Sequence, residues 1–156
     1  IILKRSYVGI ITSLLTAFER KKSGQRGWVV KDSDKIIDVD RKININVDDF
    51  MNKGYSIKNL VRAWDQFYFN AASLSKESIL ISYEENLEKN PQAGLDRVFN
   101  FLNIPGIEHS SRMKKATRKK PSEIIENYEE VVEVIDSYSK HDSVNAIANL
   151  INEQKN

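Results

Sequence analysis

The spacing of apolar positions changes period several times along the chain. Ile1-Ile2-Leu3 is a short, continuous apolar run and predicts a strand buried on both faces. From Ser6 the period becomes helical. Tyr7, Ile10, Ile11, Leu14, Leu15 and Phe18 predict a helix capped by Ser6 and ending near Lys22. Basic residues at its end suit the negative pole of a helix, and Gly24 suits the left-handed position after it. Residues 36–47 alternate, with Ile43, Ile45 and Val47 on one face, which predicts one or two short strands. Ile57, Leu60, Val61, Trp64, Tyr68 and Ala71 predict a helix that starts at Asp48 or Ser56 and ends at Ser73, with Trp64 in the core.

Ile79-Leu80-Ile81 predicts a second buried strand ending at Tyr83-Glu84. Asn90 and Pro91 cap and open the next helix. Its inward residues are Leu95, Val98, Phe99 and Leu102, and Ile104-Pro105-Gly106 stops it. Residues 108–122 form a basic loop bearing Arg112, Lys114, Lys115, Arg118, Lys119 and Lys120. Ile124, Tyr128, Val131, Val132 and Ile135 predict a further helix, with Asn127 and Glu130 as a capping box. Val144, Ile147, Ala148 and Ile151 predict the last one. Strands alternating with amphipathic helices indicate an α/β domain with a parallel sheet, helix-rich and spanning residues 1–156 as one unit. Two buried strands are few for a sheet covered on both faces, and the chain opens inside a β-type run. An upstream portion is therefore expected to be missing, and the exposed strand edge is expected to favour self-association.

Composition narrows the partners. With 24 Lys and Arg against 22 Asp and Glu among 156 residues, the formal charge is +2, which gives no reason to expect nucleic acid. The absence of cysteine excludes disulfides and thiolate metal sites and agrees with a cytoplasmic location. No apolar run is long enough for a membrane span, and the N-terminus lacks a signal-peptide pattern. No carboxylate or histidine pair has metal spacing. Lys22, Ser23, Gly24, Gly27 and Trp28 look like a phosphate-cradling loop. Such a loop needs a strand before it and a helix after it. Here a helix comes before, and the residues after Trp28 do not start one, so the stretch is expected to be a helix C-cap and a loop.

The order of elements resembles the C-terminal half of sulfotransferases that use 3′-phosphoadenosine 5′-phosphosulfate. Three passages carry the likeness. IILKRSYVGIITSLLTAF resembles the family's strand ending in Arg with Ser eight positions later, here Arg5 and Ser13. ILISYEENLEKNPQAGLDRVFNFLNIPG resembles a strand, a Tyr-Glu-Asp-Leu turn, an Asp-Pro helix start and a Phe-Leu-Gly-Leu-Pro ending. This chain departs by one residue at Glu85-Asn86-Leu87 and has Asn90-Pro91 in place of Asp-Pro. PSEIIENYEEVVEVI resembles the Asn-Tyr-Glu-Glu helix of bacterial and carbohydrate sulfotransferases.

The resemblance implies a partial three-layer, P-loop-type domain and the nucleotide as co-substrate, without a metal. Arg5 and Ser13 would grip the 3′-phosphate, a charge-matched guanidinium fork and a hydroxyl. Tyr83 would lie near the adenine, and Arg118 and Lys119 in a basic flap would face the donor's phosphates or an acidic acceptor. The acceptor would be a small molecule or carbohydrate bearing a hydroxyl or amine. The family's phosphosulfate loop and catalytic base precede the matching segment, so the catalytic residue is unassigned. This chain alone is expected not to transfer sulfate. Neither His109 nor His141 matches the base in position. On the residues alone, Arg5 is either a solvated strand-end cation or a phosphate contact, and Ser13 either back-bonds to its helix or meets phosphate. The alternatives for the whole chain are a nucleotide-kinase-like fragment and a non-catalytic interaction domain of the same fold.

Overall fold

The computed structural model describes residues 1–22, 24, 41–73, 78–108, 119–140 and 144–153. Its element order is β1 (Ile2–Lys4), α1 (Tyr7–Lys22), a 3₁₀ turn (Phe50–Asn52), α2 (Ile57–Ser73), β2 (Leu80–Ser82), a π-helix (Tyr83–Lys89), α3 (Pro91–Leu102), α4 (Pro121–Ile124), α5 (Tyr128–Tyr138) and α6 (Val144–Glu153). The protein is thus a helix-rich α/β chain with a small parallel sheet. The chain divides into two compact units. The first comprises Ile1–Ser6, Val61–Ser110 and Ser139–Asn156, and the second comprises Tyr7–Leu60 and Ser111–Tyr138.

In the first unit β1 and β2 pair in parallel, with Ile2 opposite Leu80, Leu3 opposite Ile81 and Lys4 opposite Ser82. The Ile2 N–H donates to the Ile79 carbonyl at 2.8 Å, so the backbone groups of Leu3 face away from β2. One of them is covered: the Tyr68 hydroxyl on α2 donates to the Leu3 carbonyl at 3.2 Å. The strand is not buried on both faces, as its composition suggests. Leu3 is 49% exposed and Lys4 only 1%. The long lysine stem is apolar, and its ammonium is satisfied inside: Nζ donates to the Arg5 carbonyl at 2.6 Å and lies 4.8 Å from the Tyr68 ring centre. Asp65, also buried on α2, accepts a hydrogen bond from the Lys140 backbone. Trp64, expected in the core, is only half-buried, because the buried stripe of α2 runs through Val61, Asp65, Tyr68 and Ala72.

β2 runs directly into the π-helix, which its apolar pattern does not announce. The Ser82 hydroxyl accepts from the Glu85 N–H at its start. Asn90 then caps α3 by accepting from the Ala93 N–H at 3.2 Å, and Pro91 occupies its first position, both as expected. Asn103 takes the left-handed conformation that ends α3, at φ 52°. The inward face of α3 differs from expectation. Its buried residue is Gly94, Leu95, Val98 and Phe99 are half-buried, and Leu102 is exposed. Gly94 is buried because α3 lies against the π-helix backbone there: a Cβ at Gly94 would stand 2.2 Å from the Asn86 carbonyl oxygen. α6 packs on β2.

In the second unit α1 packs against α4 and α5. Its buried stripe is Tyr7, Ile11, Leu15 and Ala17 together with Thr12, Thr16 and Arg20, while Ile10, Leu14 and Phe18 are half-buried. The threonines can go inside because each hydroxyl donates one turn back, Thr12 to Val8 and Thr16 to Thr12, at 2.7 and 2.8 Å. Gly24 comes after α1 at φ 81° and its N–H donates to the Lys21 carbonyl at 3.1 Å, so Gly24 caps the helix, as expected. Residues 25–40, including Trp28 and the first half of the alternating segment, lie outside the described residues.

The second half of that segment is extended. Ile43 forms a single parallel bridge to Ile125, and Ile45 is buried. The Ser56 hydroxyl accepts from the Asn59 N–H, so Ser56 rather than Asp48 caps α2. The helix expected from Ile124 onward is interrupted. α4 ends at Ile124 and α5 begins at Tyr128, because the Ile124 carbonyl accepts from the Ile43 N–H and the Glu126 N–H donates to the Ile43 carbonyl, at 2.8 and 2.9 Å. Asn127 and Glu130 do meet, but not as a capping box. The Asn127 amide donates to the Glu130 carboxylate at 2.6 Å, and also both donates to and accepts from the backbone of Ile45, at 2.8 Å each.

Candidate functional site

Parallel strands end side by side, and the residues just beyond them share one edge, where ligands of open α/β sheets bind. With Lys4 opposite Ser82, the next residues are Arg5 and Tyr83. The structure brings these two together: the Arg5 guanidinium carbon lies 4.4 Å from the Tyr83 ring centre, a cation–π stack. Glu84 closes the group. Its Oε1 accepts from the Ser6 N–H and from the Ser6 hydroxyl, both at 3.1 Å, and stands 3.9 Å from the Arg5 Nε. Ser6 therefore serves Glu84, where local sequence suggested only a helix cap. The Arg5 Nε is buried and has no hydrogen-bond partner.

The group is held from both sides. On the β1 side, Lys4 fixes the Arg5 carbonyl and Tyr68 fixes that of Leu3. On the β2 side, the Asn86 Oδ1 accepts from the Ser82 N–H at 2.9 Å and from Arg97 Nη1 at 3.1 Å. Arg97 Nη2 donates to the Leu80 carbonyl at 3.3 Å. These bonds tie the start of the π-helix to β2 and α3 and so set where Tyr83 and Glu84 emerge. Arg5 and Tyr83 were legible as strand-end residues. Glu84 was visible only as the strand's end marker, and its partner Ser6 lies 78 positions away in sequence.

The other expected site residues belong to the second unit or lie outside the described residues. Ser13 belongs to the second unit, half-buried on α1 between Thr12 and Thr16. Lys119 is also in the second unit and half-buried, next to Lys120, whose N–H donates to Glu123 at the start of α4. Arg118, His109 and His141 lie outside the described residues. The second unit also has a cleft of about 190 Å³ between α1 and residues 43–52, floored by Leu15, Phe18, Ile45 and Phe50. Among the described residues no cluster of three or more His, Cys, Asp or Glu side chains is placed to hold a metal ion. Among them, too, no helix is long and apolar enough to cross a membrane. Compared with known protein families, with curated proteins and with solved structures, the chain matches none.

Proposed function

We propose that this chain is the part of a sulfotransferase that holds the 3′-phosphate end of 3′-phosphoadenosine 5′-phosphosulfate, within a partial P-loop-type domain. The observation that carries the reading is Arg5. It sits at the carboxyl end of a parallel strand, stacked on Tyr83, with a buried Nε that lacks a hydrogen-bond partner. Stacking on an aromatic face holds a guanidinium in one plane, which suits fork-like recognition of a phosphate. Tyr83 would meet the adenine by the part of its ring that Arg5 leaves open. The sulfuryl acceptor, a hydroxyl or amine on a small molecule or carbohydrate, is left to residues that this chain does not identify.

Adenosine 3′,5′-bisphosphate is the probe of choice, since it carries the 3′-phosphate without the reactive sulfate. Removing a charged hydrogen-bond partner of a phosphate costs about 1.5–3 kcal/mol, or roughly one to two orders of magnitude in Kd. Arg5→Ala is therefore expected to abolish calorimetrically detectable binding. Lys22→Ala, which removes an exposed cation paired with Glu19, is expected to leave it intact. Equal losses in the two variants would show a diffuse charge effect and remove the assignment. One observation favours the non-catalytic alternative: Arg5 already has a carboxylate neighbour in Glu84 and could be a purely structural cation. Absence of nucleotide binding by the unaltered chain would decide for that alternative.

A further inference from the structure

We infer that Ser6 and Arg5 form an oxyanion subsite which Glu84 occupies as a tethered competitor, so that an incoming phosphate-type anion must first displace this side chain. The inference rests on the proposed phosphate-holding role only for the identity of the natural ligand. The subsite itself derives from geometry. Two donors of one residue, the Ser6 N–H and its hydroxyl, converge on a single oxygen of Glu84 at 3.1 Å each. The Arg5 Nε approaches the same oxygen, but at 3.9 Å it is beyond hydrogen-bond range, and it is buried without a partner. A buried donor left unmade is costly, so its persistence needs a reason.

The reason lies in the occupant's tether. Glu84 is the second residue of the π-helix, whose start is bonded to Ser82 and, through Asn86, to Arg97. From that fixed backbone its carboxylate satisfies Ser6 and falls short of Arg5. A free tetrahedral oxyanion has no tether and presents several oxygens, so it can accept from both Ser6 donors and from the guanidinium together. The ammonium of Lys4, bonded to the Arg5 carbonyl, adds positive charge beside the subsite. Displacement is sterically open: the Glu84 side chain is 33% exposed and can turn into solvent. The neighbouring Glu85 is not part of this group, since it pairs with Lys89 at 2.6 Å.

Competition predicts a gain of affinity on removing a charge from the site. Pyrophosphate is the probe, titrated by calorimetry into the full chain. Glu84→Gln is expected to tighten binding on the order of tenfold, because a neutral amide holds the Ser6 donors less strongly than a carboxylate and no longer repels the ligand. Glu85→Gln is expected to leave the affinity unchanged, and Arg5→Ala combined with Glu84→Gln to remove the gain. Should Glu84→Gln fold poorly, the unaltered protein still answers. Its Ser6 amide resonance is expected to shift with pyrophosphate in step with saturation. Weaker or unchanged binding by Glu84→Gln would mean that Glu84 positions Arg5 or is inert, and would overturn the inference. So would an unmoved Ser6 amide, or no pyrophosphate binding by either protein. Adenosine 3′,5′-bisphosphate separates this from the nucleotide reading. If it binds no more tightly than pyrophosphate while Glu84→Gln still improves both, the nucleotide assignment fails and the competitor stands.

Discussion

Gly94→Ala is expected to destabilise the protein by about 1–3 kcal/mol, although alanine is the better helix former by roughly 1 kcal/mol at an open site. The added Cβ would stand 2.2 Å from the Asn86 carbonyl oxygen and 2.9 Å from its carbon, both backbone atoms that no rotamer change can move. Either α3 withdraws from the π-helix or the Ser82–Asn86–Arg97 bonds break. Gly106→Ala is the matched control. There the nearest atom is a Phe99 ring carbon at 3.7 Å, an ordinary contact. Urea unfolding checks both. With a slope of roughly 1–3 kcal/mol per molar for a protein of this size, the Gly94 variant's midpoint is expected to fall by about 1 M. A midpoint at or above that of the unaltered protein would mean that α3 and the π-helix are not held this closely.

Asn127→Ala is expected to cost about 2–4 kcal/mol. Asn127 reads the backbone of Ile45 as another strand would, accepting from its N–H and donating to its carbonyl, both at 2.8 Å. Ile45 is 4% exposed, so truncating Asn127 strands two backbone groups that water reaches poorly. The Glu130 carboxylate loses its 2.6 Å donor as well. Asn127→Asp isolates the donor role. It keeps an acceptor for the Ile45 N–H but sets a negative charge against the Ile45 carbonyl and Glu130, so its cost should match or exceed that of alanine. Hydrogen exchange localises the effect: the Ile45 amide, bonded to Asn127 in the unaltered protein, should exchange much faster in either variant. Unchanged protection together with unchanged stability would show that Asn127 does not hold this segment.

Among the described residues, local pattern revealed most helix positions and the strands β1 and β2, because helical spacing and short apolar runs are properties of consecutive residues. Which face of each element goes inside was less legible. On α1, Thr12 and Thr16 displace Ile10 and Leu14 from the deepest positions, since a hydroxyl that bonds its own helix carbonyl no longer needs water. Lys4 is buried and Leu3 is not, because a carbonyl and an aromatic ring brought in by the fold receive the ammonium. The break before Tyr128 arises from bonds to Ile43, more than 80 residues earlier. The candidate site divides in the same way. Arg5 and Tyr83 are set by strand ends, which are local. Their association with Ser6 and Glu84 depends on the parallel pairing, which no local window contains.

The π-helix also sets how closely α3 can approach. Its i→i+5 bonds make a wider turn than an α-helix has, and over Tyr83–Lys89 that turn runs from the capping hydroxyl of Ser82 to Asn90, which caps α3. The Asn86 carbonyl of this wide turn faces α3 at Gly94. Wide turn and glycine therefore form one coupled unit. Deleting a residue from 85–87 would let the turn tighten, and with the carbonyl drawn back, position 94 would accept the side chain that the wide turn forbids.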